Sequence, residues 1–368
     1  MTDELYYQIA LTMINGVGGI LSRQLLSSFG DAQSIFKEKK QTLGRVPGIG
    51  ATLAAEIKRP EVLERAEREI EFIEKAHIQP LTPSDELYPK RLGECADSPL
   101  VLYYKGNTDL NAKHILSIVG TRHITPYGQE LTEKFIEELS GLFPDTLIVS
   151  GLAYGVDVMA HKCALKQQMA TVGILAHGLD RIYPPAHRST AIEMLEQGGL
   201  LTDFPSGTEP ERANFLKRNR IIAGLSDATI VVESASKGGS LVTADLAFNY
   251  NREVYAFPGR LNDRYSAGCN QLIHKKKAEI ITSVADIVDD LGWTQSTPAP
   301  IYRQAELFEE VSPEVRKVVD CLLQVKELHI NQMAKQTGMS VQELSNILFE
   351  LEMDGRIRTL PGDMYSLT

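Results

Sequence analysis

The sequence predicts an α/β protein: an extended Rossmann-like, doubly wound sheet with a helical domain before it and a winged-helix-like domain after it. Between residues 85 and 292, short buried apolar runs alternate with amphipathic helical patterns, which is typical of parallel strands joined by helices. Glycine-rich turns follow several of these runs, as expected where a strand ends and a helix begins. We therefore expect a helical domain at 1–84, the sheet domain at 85–292, a linker at 293–310 and the winged-helix-like domain at 311–368.

Six apolar runs are the predicted strands of the sheet: 114–119, 146–149, 170–176, 200–203, 229–232 and 253–257. Ligands of such sheets bind beyond the carboxyl ends of the strands. Three turns at those ends are rich in glycine, at 120–128, 150–155 and 236–240. Each turn leads toward a helix, and free backbone N–H groups at a helix N-terminus bind anions. The sequence therefore predicts an anion site at this edge of the sheet.

A cluster of cations precedes the fifth of these strands. Arg212, Lys217, Arg218 and Arg220 lie within nine residues of a chain whose net charge is −10. Because the bulk charge is acidic, such a cluster indicates a focused site for an anion such as a nucleic-acid backbone. The cations of one helix cannot all face the same way, so we expect one to be a structural ion-pair partner and Arg218 to be the first ligand.

The first glycine-rich turn carries Arg122 beside the hydroxyl of Thr121. A guanidinium fork next to a hydroxyl suits a phosphate, and the alternative is an ion pair with a neighbouring loop such as that of Asp157. Dinucleotide and P-loop sites fit poorly. The turn reads G-T-R-H-I-T-P-Y-G, no acidic residue ends the second strand, and no Gly-Lys-Ser/Thr follows a strand. We therefore predict no cofactor.

Catalytic and metal sites have weak signals. Asp157 and His161 are one helical turn apart, and His177, Asp180 and His187 follow the third strand, but no HExxH or G-x-S-x-G spacing occurs. Asp157 is more typical of a helix cap and His161 of a packed histidine. We therefore predict no metal and no enzymatic activity.

Cysteine usage and hydropathy bear on location. The four cysteines are scattered, which favours free thiols in a reducing cytoplasm. No basic segment followed by an apolar run starts the sequence, and no apolar run is long enough to span a bilayer. We therefore expect a cytoplasmic protein with no membrane contact.

Two pairs of short predicted helices lie in the first sixty residues, joined by the glycine turns 15–19 and 46–50. They resemble the helix-hairpin-helix of SAM-like domains, in which backbone N–H groups hold a DNA phosphate. The alternative is a helical domain whose glycines only cap helices.

Three predicted helices (312–325, 329–337 and 340–354) and a hairpin at 356–365 indicate a winged helix, a frequent reader of duplex DNA. The third helix contains four carboxylates and no basic residue: Glu343, Glu350, Glu352 and Asp354. Because such a helix is ill suited to phosphates, we favour a protein-contact or regulatory role.

The sheet domain contains a series of motifs that resembles the DprA/Smf family of DNA-processing proteins. The motifs, in order, are 118–122, 150–157 with Ala160 and His161, 178–184, 215–220, 238–244, and 257–259 followed by 266–270. They run through the whole sheet domain, and the flanking domains agree with the layout of the family.

The resemblance implies a bacterial cytoplasmic protein that binds and protects single-stranded DNA in natural transformation (competence) and loads the RecA recombinase onto it. It implies homodimers or larger assemblies and no catalysis. The strand pocket of the family maps onto two segments of this chain: Gly120, Thr121 and Arg122, and Lys217, Arg218, Asn219 and Arg220. Thr121 replaces the serine of many members and keeps the hydroxyl.

Three further residues complete the predicted DNA site, the glycine turn Gly238, Gly239 and Ser240. Phe215 is a candidate surface for base stacking or, alternatively, a core anchor. Leu272 and Ile273 belong to a short helix that packs either across a dimer interface or within one subunit. The alternative function is a nucleotide-processing, phosphoribohydrolase-like enzyme, because a glycine-rich turn such as 237–240 also serves that fold. A scaffold for partner proteins is the third class.

Overall fold

A computed structural model of the chain describes residues 2–294, 313–324, 328–353, 357–360 and 362–367. The chain separates into two compact units, Met1–Gln295 and Ser296–Thr368. Most of the predicted linker at 293–310 lies outside the described residues, as do the ends of the predicted helix at 312–325 and two residues of the predicted hairpin.

Six helices begin the first unit: α1 (Asp3–Thr12), α2 (Gly19–Phe29), α3 (Ala32–Lys37), α4 (Lys40–Leu43), α5 (Ala51–Ile57) and α6 (Pro60–Ala76). Local sequence fixes several of their starts. The side chains of Thr2 and Asp31 accept N-terminal N–H groups of α1 and α3, and Pro60 supplies a suitable φ for the first turn of α6. The apolar faces of the helices form one core that also contains Tyr103 of the sheet. The boundary at residue 84 stays a prediction.

Nine strands form a single sheet: β1 (Gln79–Leu81), β2 (Leu102–Gly106), β3 (Ile115–Val119), β4 (Leu147–Ser150), β5 (Thr171–Ile174), β6 (Gly198–Thr202), β7 (Ala228–Val231), β8 (Glu253–Ala256) and β9 (Glu279–Ile280). Their order is β1-β2-β6-β5-β4-β3-β7-β8-β9. The strands from β3 to β9 are parallel to one another. At one edge of the sheet, β2 pairs antiparallel with both β6 and β1. Because β3 pairs with both β4 and β7, the strand order reverses there, and the predicted doubly wound sheet is confirmed.

Eight helices accompany the strands: α7 (Lys90–Gly93), α8 (Pro126–Leu142), α9 (Val156–Lys166), α10 (Arg188–Glu196), α11 (Arg212–Leu225), α12 (Ser240–Asn249), α13 (Ala267–His274) and α14 (Val284–Asp290). Side chains of α11, α12 and α13 cover one face of the sheet, and those of α8, α9 and α14 cover the other. Consecutive strand residues such as Ile148 and Val149 therefore face different cores. Burial on both faces explains why the central strands are continuous apolar runs.

One edge of this sheet lies inside the stretch predicted to be the helical domain. Residues 1–84 are predicted as helical, but Gln79–Leu81 is strand β1, paired with Leu102–Tyr104 of β2. The proline and polar residues of this stretch hide a short edge strand, because an edge strand needs hydrogen bonds on only one side. Strands β2 and β9 were also not predicted.

The described residues of the second unit form three helices and three strands: α15 (Pro313–Gln324), β10 (Leu328–His329), α16 (Ile330–Thr337), α17 (Val341–Met353), β11 (Ile357–Leu360) and β12 (Met364–Leu367). The strands form an antiparallel sheet in the order β10-β12-β11. Leu322, Leu344, Leu348 and Leu351 belong to its core, and Gly338 ends α16 in the left-handed conformation. The predicted winged-helix architecture is confirmed. Across the described ranges of both units, no helix has the length and apolar character needed to cross a membrane.

Candidate nucleic-acid interface

A cleft of about 820 Å³ opens where the order of the strands reverses. It is termed the switch-point cleft and is defined by Gly120–Arg122 after β3, by Phe215, Arg218 and Asn219 of α11, and by Lys237–Ser240 before α12. Ligands of doubly wound sheets bind at this place, because the loops on the two sides of the reversal separate there.

A second cleft, of about 790 Å³, lies between the N-terminal hairpin 12–22 and α11 and is termed the hairpin cleft. The predicted DNA ligands divide between the two clefts. Nine line the switch-point cleft: Gly120, Thr121, Arg122, Phe215, Arg218, Asn219, Gly238, Gly239 and Ser240. Lys217 and Arg220 line the hairpin cleft instead, because consecutive residues of a helix point in different directions.

The charge of the switch-point cleft is positive although the whole chain is acidic. Among the described residues, Asp157 is its one carboxylate, and five lysines and arginines line it: Arg122, Arg212, Arg218, Lys237 and Arg264. Asp157 and Arg218 are both buried, so the charge that faces solvent comes from the other four side chains. Lys237 and Arg264 were not among the DNA ligands predicted from the sequence. Arg264 lies two residues before the motif at 266–270, but nothing in the sequence indicated that this loop returns to the turn after β3.

Close backbone packing holds the turn of Arg122 in place. Thr121 N donates to Glu233 O at 2.7 Å, and Thr121 O accepts from Val156 N at 3.1 Å. Gly155 lies against this turn with φ of +80°, and a Cβ there would come within 2.8 Å of Arg122 Cα. A glycine is therefore required at this position for steric and conformational reasons. The result is a rigid base from which the exposed Arg122 side chain extends into the cleft.

Phe215 is the central aromatic residue of the switch-point cleft. Arg122 Cζ lies 5.0 Å from its ring centroid and Arg218 Cζ lies 5.8 Å from it, both within range of cation–π attraction. The ring of Tyr183 meets it edge-on at 6.0 Å between centroids. Phe215 is half-buried and belongs to none of the apolar cores. It therefore presents a partly accessible aromatic surface beside two guanidinium groups.

Arg218 lies on the floor of this cleft. Only 3% of the residue is exposed, and its Nη1 donates to Gly151 O at 2.7 Å and also to Ile174 O. Its Nε has no hydrogen-bond partner among the described residues. Burial lowers the pKa of Arg218 to about 10 although Asp157 opposes the shift, so the side chain is a buried cation at neutral pH. As a direct ligand of DNA, Arg218 stays a prediction.

Asp157 is the opposite charge that accompanies Arg218. A Cβ on Gly151 would lie 2.5 Å from Asp157 Oδ2 and 2.5 Å from Arg218 Nη2, so both groups converge on this glycine. Burial raises the pKa of Asp157, while the charge of Arg218 and the N–H groups of Ala153 and Gly151 oppose the shift. The carboxyl group of Asp157 and the buried cation Arg218 therefore lie beside the same glycine at the base of the cleft.

The three helix N-termini at this edge differ in what their N–H groups bond. At α8, the Thr125 side chain accepts from Gly128 N, and Glu233 accepts from Thr125. At α9, Val156 N is bonded to Thr121 O. At α12, no side chain caps the helix, and the space around Gly239 is open. Helix α9 also lacks a side-chain cap, but the start of α12 is the one with open space beside it in the cleft.

Three buried histidines near the cleft are structural in their contacts, whereas the exposed His123 lines the cleft. His161, His177 and His187 are buried, and their Nδ1 atoms bond Thr171 Oγ1, Gly178 O and Leu152 O at 2.7–2.8 Å. Burial lowers the pKa of His161 to about 3, so it is neutral at physiological pH. None of the three lines the switch-point cleft, so they give no support to a nucleotide-processing site there. Among the described residues, no group of three or more His, Cys, Asp or Glu side chains is arranged to hold a metal ion.

Arg220 and the first hairpin connect the helical part to the sheet. Arg220 forms an ion pair with Asp203 and donates to Asp97 O, so it is the structural partner expected among the cations of α11. In the first hairpin, a Cβ on Gly19 would lie 2.9 Å from Asp97 O. Arg23 of α2 donates to carbonyl groups of residues 93–96. This hairpin therefore packs against the sheet part, and DNA contact by it stays a prediction.

Helix α13 contains Leu272 and Ile273, the two residues considered for a dimer interface. Leu272 is 4% exposed and belongs to the core beside α11 and α12, while Ile273 is partly buried against the same core. Leu272 therefore packs within its own subunit, and the homodimer stays a prediction.

Two protein-family models match the chain. The model described as DNA recombination-mediator protein A matches residues 79–292, and the model described as DprA winged helix domain matches residues 304–363. Among curated relatives, Protein Smf of Synechocystis sp. is 32% identical over 99% of this chain and 98% of its own length. Protein Smf of Escherichia coli is 36% identical over 77% of this chain and 76% of its own length.

The chain is also similar to solved structures of DNA processing protein A. DNA processing protein A from Streptococcus pneumoniae is 30% identical, aligns with 77% of this chain and 97% of its own, and has a TM-score of 0.63. DNA processing protein A from Helicobacter pylori, whose structure concerns its single-stranded DNA binding mode, is 32% identical. That alignment covers 58% of this chain and 95% of the other, with a TM-score of 0.52.

Proposed function

The chain belongs to the DNA recombination-mediator protein A (DprA/Smf) family, and from this membership we propose that it binds single-stranded DNA in the switch-point cleft. The observation that supports the proposal best is the partly accessible ring of Phe215 between Arg122 and Arg218. A ring face stacks on any unpaired base, and neighbouring guanidinium groups bind the phosphates on either side of that base. A duplex keeps its bases stacked on one another and offers no such partner.

We propose distinct roles for the ligands. Arg122, Arg212, Lys237 and Arg264 neutralise phosphates, because they are exposed cations of the cleft. The uncapped start of α12 offers the backbone N–H groups of Gly239 and Ser240 to a further phosphate, while Gly238 N donates to Ala235 O and shapes the turn. Thr121 and Asn219 supply polar contacts, and Arg218 acts from the floor through its charge. Lys217 and Arg220 contribute through their charge from the hairpin cleft.

The wider role is also a proposal and depends on the family. We propose that the protein protects incoming single strands in the cytoplasm during natural transformation and loads the RecA recombinase onto them as a homodimer, without catalysing a reaction. Sedimentation of the full chain measures the dimer. RecA-driven strand exchange with and without the protein measures the loading.

We expect the full chain to bind a labelled single strand of about 20 nucleotides at least tenfold more tightly than the matching duplex. With four exposed cations in the cleft, the logarithm of the association constant should fall against the logarithm of the salt concentration with a slope of about −3. Fluorescence anisotropy at rising salt measures both quantities. Equal affinity for the two forms of DNA would contradict the proposal, and turnover of a nucleoside monophosphate would favour the alternative enzyme.

A further inference from the structure

Two large apolar side chains are exposed on the surface of α17 that faces away from its own core. Leu344, Leu348 and Leu351 are buried, whereas Phe349 and Met353 are 65% and 74% exposed. The two exposed side chains are four residues apart and therefore neighbours on the helix. Single exposed apolar residues are ordinary, but two large adjacent ones on a helix face are typical of a contact surface.

Carboxylates flank this apolar pair on both sides. Glu350 is three residues before Met353, and Glu352 is three residues after Phe349, so each is a helical neighbour of the pair. At 3.6 residues per turn the two glutamates point to opposite sides of it. Glu352 accepts a hydrogen bond from Thr359 N at 3.2 Å. Within the described residues, neither glutamate forms an ion pair with a lysine or an arginine.

Helix α17 holds the position of the recognition helix, which such domains commonly place in the major groove of DNA. Here it combines apolar side chains with carboxylates, and α17 contains no lysine or arginine. Phosphates would be repelled. A second copy of the same face would bring the glutamates of the two copies together, so symmetric pairing is disfavoured as well.

We propose that the α17 face, defined as Phe349, Met353, Glu350 and Glu352, docks a cationic amphipathic helix of a partner protein. Charge complementarity identifies this occupant. An apolar stripe on the partner covers Phe349 and Met353, and lysines or arginines on its two sides pair with the glutamates, as in helical pairs with charged flanks. The inference goes beyond the proposed binding of DNA and does not depend on the switch-point cleft.

A designed peptide of about 18 residues, five helical turns, tests this surface directly. It carries leucines along one face and lysines beside them, and a second peptide replaces every lysine by glutamate. Anisotropy of the labelled peptides is measured with the full chain and three variants. The variants are Phe349→Ala with Met353→Ala, Glu350→Lys, and the control Leu261→Ala, which removes an 88% exposed leucine elsewhere.

We expect the lysine peptide to bind and the glutamate peptide not to bind. The alanine double variant and Glu350→Lys should each weaken the lysine peptide by about tenfold or more, and Leu261→Ala should leave it unchanged. Equal binding by all variants, or no binding of the lysine peptide to the wild type, would overturn the proposal. So would a loss of duplex DNA binding or of self-association in the alanine variant, because the face would then serve DNA or a second copy.

Discussion

Replacing Asp157 by alanine is expected to lower the free energy of unfolding of the first unit by about 3–5 kcal/mol. Arg218 is 3% exposed and keeps its charge, so the substitution leaves a buried cation without its compensating carboxylate. The carbonyl groups of Gly151 and Ile174 still accept its N–H groups but supply no negative charge. The loss is therefore larger than that of an ordinary hydrogen bond.

The only tryptophan of the chain provides the measurement. Trp293 packs against His114 and Phe143 of the first unit, with ring centroids 4.2 and 5.4 Å away, so its fluorescence follows denaturant unfolding of that unit. Asp245→Ala is the matched control, because Asp245 pairs with Lys277 at a surface where both side chains are at least 40% exposed. That change should cost less than about 1 kcal/mol. An Asp157→Ala variant as stable as the control would contradict the buried charge pair.

Replacing Arg122 by alanine is expected to weaken the binding of a single strand by about 10- to 100-fold, as expected for the loss of a hydrogen-bonded charge. Arg122 is exposed, so the fold tolerates the change. The slope of the logarithm of the association constant against the logarithm of the salt concentration should become shallower by the amount expected for about one phosphate contact. Anisotropy titrations with the same oligonucleotide measure both effects.

Lys113→Ala is the control for this prediction. Lys113 is an exposed cation just before β3, whereas Arg122 comes after β3. Lys113 therefore lies at the amino ends of the parallel strands, opposite to the cleft. Its removal changes the total charge equally and should alter the affinity less than about threefold. Equal losses in the two variants would show that only the overall charge matters and would contradict a site at the switch-point cleft.

The sequence predicted the sheet and the approach of two glycine turns at one edge of it. Continuous apolar runs report burial on both faces, and the glycine turns after them mark the carboxyl ends of the strands. From those two signals, the turn at 120–122 and the turn at 236–240 were expected at one edge. The structure places both in one cleft with α11.

The sequence did not predict the direction of each cation on α11. Arg218 was the expected first ligand, yet it lies beneath Phe215, where Asp157 and two carbonyl groups stabilise it. The local sequence does not distinguish a buried cation from an exposed one on the same helix. Only the packing of α11 on the strands decides which one is buried. Arg264 was not assigned for a related reason, because loop contacts between distant segments have no periodic pattern.

The most direct test of the account is to map where a single strand contacts the full chain. A strand of about 20 nucleotides containing 5-iododeoxyuridine is bound, irradiated and digested, and the crosslinked peptides are identified by mass spectrometry. We predict crosslinks to Phe215, Tyr183 or Tyr265, the aromatic residues of the switch-point cleft, and their loss when Arg122 is replaced by alanine. Crosslinks confined to the N-terminal hairpin at 12–22 or to Phe349 of α17 would contradict it.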